Sequence, residues 1–131
     1  MRLFVDASAI VAIVGGEPEQ RAFAGVIQDA DRPLWSAMVC WEAVSALRRS
    51  YNLSVEQAQT DVEQAADRLS LEMVLIGAPE LAVALDAFRQ FGKGRHPAKL
   101  NFGDCFAYAC AKTNHARLLY KGDDFSRTDL R

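Results

Sequence analysis

The chain has 131 residues, half of them hydrophobic and 24% charged, enough for one domain with its own core and unlike a disordered or fibrous protein. A net charge of −2 alone argues against a nucleic-acid partner, but the charge is segregated: five acids and one base lie between Glu56 and Glu72, whereas Arg89, Lys93, Arg95, His96 and Lys99 share a stretch with no acid. Three cysteines without a CxxC argue against a disulfide framework or zinc site and fit a reducing, cytoplasmic setting; the opening residues lack signal-peptide character, and the longest apolar run is too short to cross a membrane.

In chain order, Leu3-Phe4-Val5 is a short apolar run of strand-forming residues ended by Asp6, which reads as a buried parallel strand. Asp6 and Ser8 can cap a helix through Ala7 to Val14, broken by Gly15, Gly16 and Pro18. A second helix covers Glu19 to Gln28. Leu34-Trp35 is the next strand, and Ser36 caps a helix from Ala37 to Arg49. Ser54 caps a long helix to about Leu69. Met73 to Ile76 reads as a third strand. Gly77 and Pro79 introduce a helix from Glu80 to Phe91. Gly92 to Pro97 is a basic, glycine-containing loop, and Asn101 caps a helix to about Thr113. Arg117 to Tyr120 is a fourth strand, Gly122 to Phe125 a tight turn, and the last residues read as frayed. Alternating strands and helices, with no internal repeat or linker, predict a single α/β domain spanning 1–131 around a mostly parallel sheet with helices on both faces.

Four of these elements place an acid where the binding crevice of such a sheet lies, outside the carboxyl ends of its strands. Asp6 ends the first strand, Glu42 sits in the first turns of the helix after the second, Asp104 begins the helix before the fourth, and Asp124 follows the fourth. Glu42 has Met38, Val39, Ser45 and Ala46 as its helical neighbours, so its carboxylate is partly buried and needs a partner. Carboxylates without basic partners suit a hard divalent cation such as Mg²⁺, with Mn²⁺ as a substitute, which can polarise a phosphoryl group and activate water. Each acid also has a plainer reading. Asp6 is a helix cap, Asp104 forms a capping box with Asn101, and Asp123 and Asp124 are turn residues.

The segments that carry these acids resemble a known family. Phe4-Val5-Asp6-Ala7-Ser8-Ala9, Trp41-Glu42-Ala43, the stretch from Leu100 to Ala109 around Asp104, and the stretch from Leu118 to Asp129 around Asp123 and Asp124 are together similar to PIN-domain toxin ribonucleases of the VapC type. The resemblance spans essentially the whole chain. It implies a PIN-like three-layer sandwich with a central sheet of four or five strands. It further implies metal-dependent endonucleolytic cleavage of RNA, leaving a 5′-phosphate and a 3′-hydroxyl, a homodimer, and a small cognate antitoxin that blocks the site. In that frame Asp6, Glu42, Asp104 and Asp124 are the catalytic and metal-binding set, with Asp123 as alternative or assistant to Asp124. Ser8 supports an acid or a bound water, and Asn101 either caps its helix or orients the mouth of the site. Arg89, Lys93, Arg95, His96 and Lys99 are the candidates for RNA backbone contacts, which position the substrate without reading bases. Trp35 and Trp41 read as core or dimer packing, with base stacking as the lesser alternative. A DNA nuclease and a non-catalytic PIN-like binding module are the rival functions. A phosphatase with a covalent aspartate fits poorly, because Asp6 is followed by Ala7-Ser8 with no second aspartate close behind.

Overall fold

The computed structural model describes residues 1–92, 94 and 100–130. Four strands, β1 (Arg2–Val5), β2 (Arg32–Ser36), β3 (Glu72–Val74) and β4 (Arg117–Leu119), form one sheet in the order β3-β2-β1-β4, every neighbouring pair parallel. Six helices connect them: α1 (Ala7–Val14), α2 (Gln20–Asp29), α3 (Ala37–Tyr51), α4 (Val55–Arg68), α5 (Ala78–Phe91) and α6 (Phe102–Thr113). The α/β expectation holds, with four strands among the described residues and all of them parallel.

Strand order fixes where the layers go. The chain steps from β1 to β2 to β3, then returns past β1 to β4. Right-handed crossovers therefore put α1 to α4 on one face and α5 and α6 on the other. The packing agrees, since α1 packs on α2, α3 and α4, while α5 packs chiefly on α6. The direction of travel reverses between β1 and β4, and at such a switch point the loops beyond the strand ends diverge and leave a crevice.

The sheet is apolar on both faces, as buried parallel strands require. Phe4 and Val5 of β1 and Leu34 of β2 are fully buried, and Ile10, Val39, Leu47, Val62 and Cys110 fill the space between sheet and helices. Trp35 is in the core as anticipated, whereas Trp41 is 70% exposed and so is not a core residue of the single chain. It is not one of the buried positions of α3, which are Val39, Ala43 and Leu47.

Several bounds differ from the sequence reading; the third strand, for one, covers Glu72–Val74 rather than Met73 to Ile76. The fifth helix starts at Ala78 rather than Glu80, because Pro79 is tolerated in a first turn and Glu80 accepts a hydrogen bond from the Gly77 N–H at 2.8 Å. Helix α3 runs on to Tyr51 and stops where Asn52 takes a left-handed conformation. The C-terminal tail is packed rather than frayed. Phe125 and Thr128 are buried, and Asp129 accepts hydrogen bonds from the Tyr108 hydroxyl and the Lys112 ammonium.

Candidate metal centre and cleft

The carboxyl ends of β1 and β4 are stapled together. The Asp6 N–H donates to the Leu119 carbonyl at 2.9 Å, and the Lys121 N–H donates to Ser8 Oγ, also at 2.9 Å. Ser8 in turn donates to Asp6 Oδ2 through its hydroxyl at 2.6 Å and its N–H at 3.1 Å. Asp6 is thus a helix cap and a fixed acid at once, and Ser8 supports it as anticipated. On α6, the Asp104 N–H donates to Asn101 Oδ1 at 2.9 Å, and Asp104 Oδ2 accepts from the Asn101 N–H at 3.1 Å. Asn101 therefore orients Asp104 by capping the helix.

Beside this staple opens a cleft of about 520 Å³ whose walls include Asp6, Glu42, Asp104 and Asp124. The four acids come from four separate stretches of chain and share one hollow. Asp123 is not part of its lining; its carbonyl accepts hydrogen bonds from the Ser126 N–H and hydroxyl, as a turn residue does. Glu42 comes close to α6 because the facing residue is glycine: a Cβ on Gly103 would overlap the Glu42 carboxyl group. Helices α3 and α6 can meet here only if that position lacks a side chain.

The electrostatics are those of acids held against their preference. Burial, followed by the charges of Asp6 and Asp104, pushes Glu42 up to about 7. Burial likewise raises Asp104 to about 7, against the opposing hydrogen bond from Asn101 and with help from Asp124 and Asp6. Asp6 is raised by burial more than its hydrogen bonds to Ser8 lower it. Among the described residues, no lysine or arginine forms an ion pair with any of the four.

Whether these residues suit a metal ion can be judged on that donor set. It is all oxygen, concave and uncompensated, as a hard divalent cation requires. Among the described residues, no three His, Cys, Asp or Glu side chains already stand close enough to enclose an ion. An ion such as Mg²⁺, which keeps several waters and needs only one or two direct carboxylates, does not demand such an enclosure.

The rest of the lining was not read from the sequence. Arg49 and Ser45 lie on the cleft side of α3, and Arg49 Nη1 donates to Ser45 Oγ at 3.1 Å. Lys121 also lines the cleft, but its charge is matched by Glu17 at 2.7 Å and Glu19 at 3.3 Å; Glu17 also accepts from the Tyr51 hydroxyl. Helical periodicity could have found Ser45 and Arg49, which lie three and seven residues beyond Glu42 and so on its face. Nothing local announces Lys121. Of the basic stretch proposed for RNA, Arg89 is described and is paired with Asp86 at 3.0 Å, while Lys93, Arg95, His96 and Lys99 lie outside the described residues. No histidine lines the cleft among the described residues.

The PIN-domain family matches residues 3–130. A VapC ribonuclease of Rhizobium meliloti (strain 1021) is 42% identical, over 97% of this chain and 98% of that protein. The chain belongs to the PIN-domain family of VapC ribonucleases. Ribonuclease VapC36 of Mycobacterium tuberculosis is 38% identical across 98% of this chain and 91% of its own length. Two solved structures share the PIN fold at low identity. One is Mycobacterium tuberculosis VapC20, described as a sarcin-ricin loop cleaving toxin, with a TM-score of 0.74 and 20% identity, covering 98% of this chain and 96% of that one. The other is Rickettsia felis VapBC2 bound to a DNA fragment from its promoter, with a TM-score of 0.76 and 15% identity, covering 98% and 94%. The acid-lined cleft therefore sits in a VapC-type PIN domain, at the switch point of its sheet.

Proposed function

We propose that the chain is a divalent-cation-dependent endoribonuclease, the toxin of a toxin–antitoxin pair, using Mg²⁺ with Mn²⁺ as a substitute. The observation that carries this reading is the convergence of Asp6, Glu42, Asp104 and Asp124 on one cleft with no described cation paired to them. When bound, the ion supplies positive charge to the phosphoryl oxygens and activates a water for in-line attack. The protein's part is to hold the donors. Ser8 fixes Asp6, the capping box fixes Asp104, Gly103 admits Glu42, and Asp124 completes the lining.

The VapC names of the relatives support RNA as substrate and a small antitoxin as partner. A homodimer has a suitable surface in the apolar face of α5 and α6, where Leu81, Leu85 and Phe102 are about half exposed or more. A cytoplasmic setting accords with three free cysteines, and among the described residues no helix is long and apolar enough to cross a membrane. The basic stretch from Lys93 to Lys99 stays a candidate for backbone contacts.

Incubation with matched RNA and DNA in Mg²⁺, with and without excess chelator, tests the reading. RNA cleavage that stops with chelator, and that Asp6→Ala and Asp104→Ala lack, is the expected result. Full activity in chelator overturns the metal role. Preference for DNA makes the chain a DNA nuclease, and no calorimetric binding of Mg²⁺ at millimolar concentration makes it a binding module.

A further inference from the structure

Trp41, Ser45 and Arg49 are spaced four residues apart, so their side chains form one continuous ridge along α3, about 12 Å from end to end. All three line the cleft, and Trp41 directly precedes Glu42 in the chain. Two features set the ridge apart. Trp41 exposes 70% of its surface, while the other tryptophan, Trp35, is 6% exposed. Among the described residues Arg49 donates only to a neutral serine, whereas the other lysine or arginine of the cleft lining, Lys121, is held by two glutamates.

We propose that this ridge is the track for single-stranded RNA: Trp41 stacks on an unpaired base beside the scissile phosphodiester, and Arg49 binds a phosphate further along the same strand. The proposal rests on the ribonuclease reading. Its argument is one of position. A phosphodiester placed against Asp6, Glu42 and Asp104 must carry its neighbouring nucleotides past the adjoining rim, and that rim presents an open aromatic face and an uncommitted guanidinium. Single-stranded RNA offers both matching groups, a base face for stacking and a phosphate for the arginine fork. Stacking tolerates any base, so Trp41 contributes affinity and a requirement for unpaired substrate.

The test uses the full chain without antitoxin and a short fluorescent single-stranded RNA. Trp41→Ala should raise KM about tenfold, within the range of one lost base–aromatic stack, with kcat changed less than about threefold. Trp41→Phe should restore most of the difference. Arg49→Ala should raise KM and reduce the slope of log affinity against log salt by about 0.7, the share of one phosphate contact on a single strand. RNA should quench tryptophan emission in the wild type and in Asp104→Ala, but not in Trp41→Phe, because Trp35 is shielded.

Quenching and binding are read without cleavage, so the two ideas fail separately. A wild type that binds RNA through Trp41 and Arg49 but never cuts it keeps the track and loses the ribonuclease reading. A wild type that cuts RNA with KM, salt slope and quenching indifferent to both substitutions overturns the track. So do variants that leave RNA binding intact but abolish self-association or antitoxin binding, which would make the ridge a protein interface.

Discussion

Two aspartates attached to α6 have opposite surroundings. Asp129 reaches the helix from the C-terminal tail and accepts from Tyr108 and Lys112, each at 2.6 Å; partial burial opposes its charge, but those bonds win and hold its carboxyl below the usual range. Asp104, in the first turn, is buried among other acids and is pushed up to about 7. Asp129 joins the tail to the domain. Asp104 gains its cap but keeps a charge that the fold does not neutralise. A fold holds such a group where something else supplies the missing charge, which is why strongly raised carboxyls in a cleft point to function.

The contrast breaks most visibly in activity. Asp104→Asn keeps the shape of the side chain and an oxygen for the cap, so the domain should melt at or above the wild-type temperature. Its RNA cleavage should fall more than about a hundredfold, beyond what loss of an outer-sphere metal partner costs. Asp129→Asn should cleave within about twofold of wild type. Equal cleavage by Asp104→Asn and wild type would remove the distinction between the two aspartates.

A second way to sharpen it is pH. Asp6, Glu42 and Asp104 all have folded-state values above their unfolded ones. The folded state therefore holds more protons; the contribution of Glu42 and Asp104 to stability is fully present below about pH 4 and lost as pH rises through about 7, and Asp6 acts in the same direction. Metal-free protein should lose melting temperature across that interval. Millimolar Mg²⁺ should restore it at pH 7 to 8, with proton release on binding, because the ion takes the ionised carboxylates. Glu42→Gln should flatten the slope. A melting temperature that rises over the same interval without metal would show that the cluster is already compensated.

Gly103→Ala probes the same cluster through its packing. Alanine is favoured over glycine inside a helix by about 1 kcal/mol, so α6 alone should tolerate it. The new methyl would occupy the place of the Glu42 carboxyl group. Cleavage should drop about tenfold or more with little loss of stability, a combination that only a displaced cleft residue produces. A lowered melting temperature with unchanged cleavage would mean that Glu42 moves aside without consequence.

How much of this was legible in the sequence depended on range. Period and caps located the strand ending at Asp6, the Ser36 cap and the Asn101–Asp104 box, since each is decided within a few residues. The burial of Glu42 followed from its helical neighbours. The Lys121 pairings with Glu17 and Glu19 did not, because they join segments about a hundred residues apart and depend on strand order. The packed tail was misread for the same reason. Its polar residues look frayed until Phe125 is seen in the core and Asp129 at the Tyr108 hydroxyl. For Trp41 composition offered core or dimer packing, and only the third dimension, which shows the face of α3 it takes, removes the core.

The smallest effect concerns the satisfied aspartate itself. Tyr108 is 7% exposed, so removing its acceptor leaves a phenol with little access to water. Lys112 and Asp129 have side chains 42% and 48% exposed, so that ion pair is largely screened. A double-mutant cycle of Tyr108→Phe with Asp129→Ala should give a coupling of about 1 kcal/mol, the usual net value of one buried hydrogen bond. The cycle of Lys112→Met with Asp129→Ala should give less than about 0.5 kcal/mol, and that remainder should vanish in high salt. Equal couplings would mean that charge, not the tyrosine hydrogen bond, holds the tail. Asp129 would then be stabilised by the same kind of interaction that an ion would supply to Asp104, and the two aspartates would differ only in where their cation comes from.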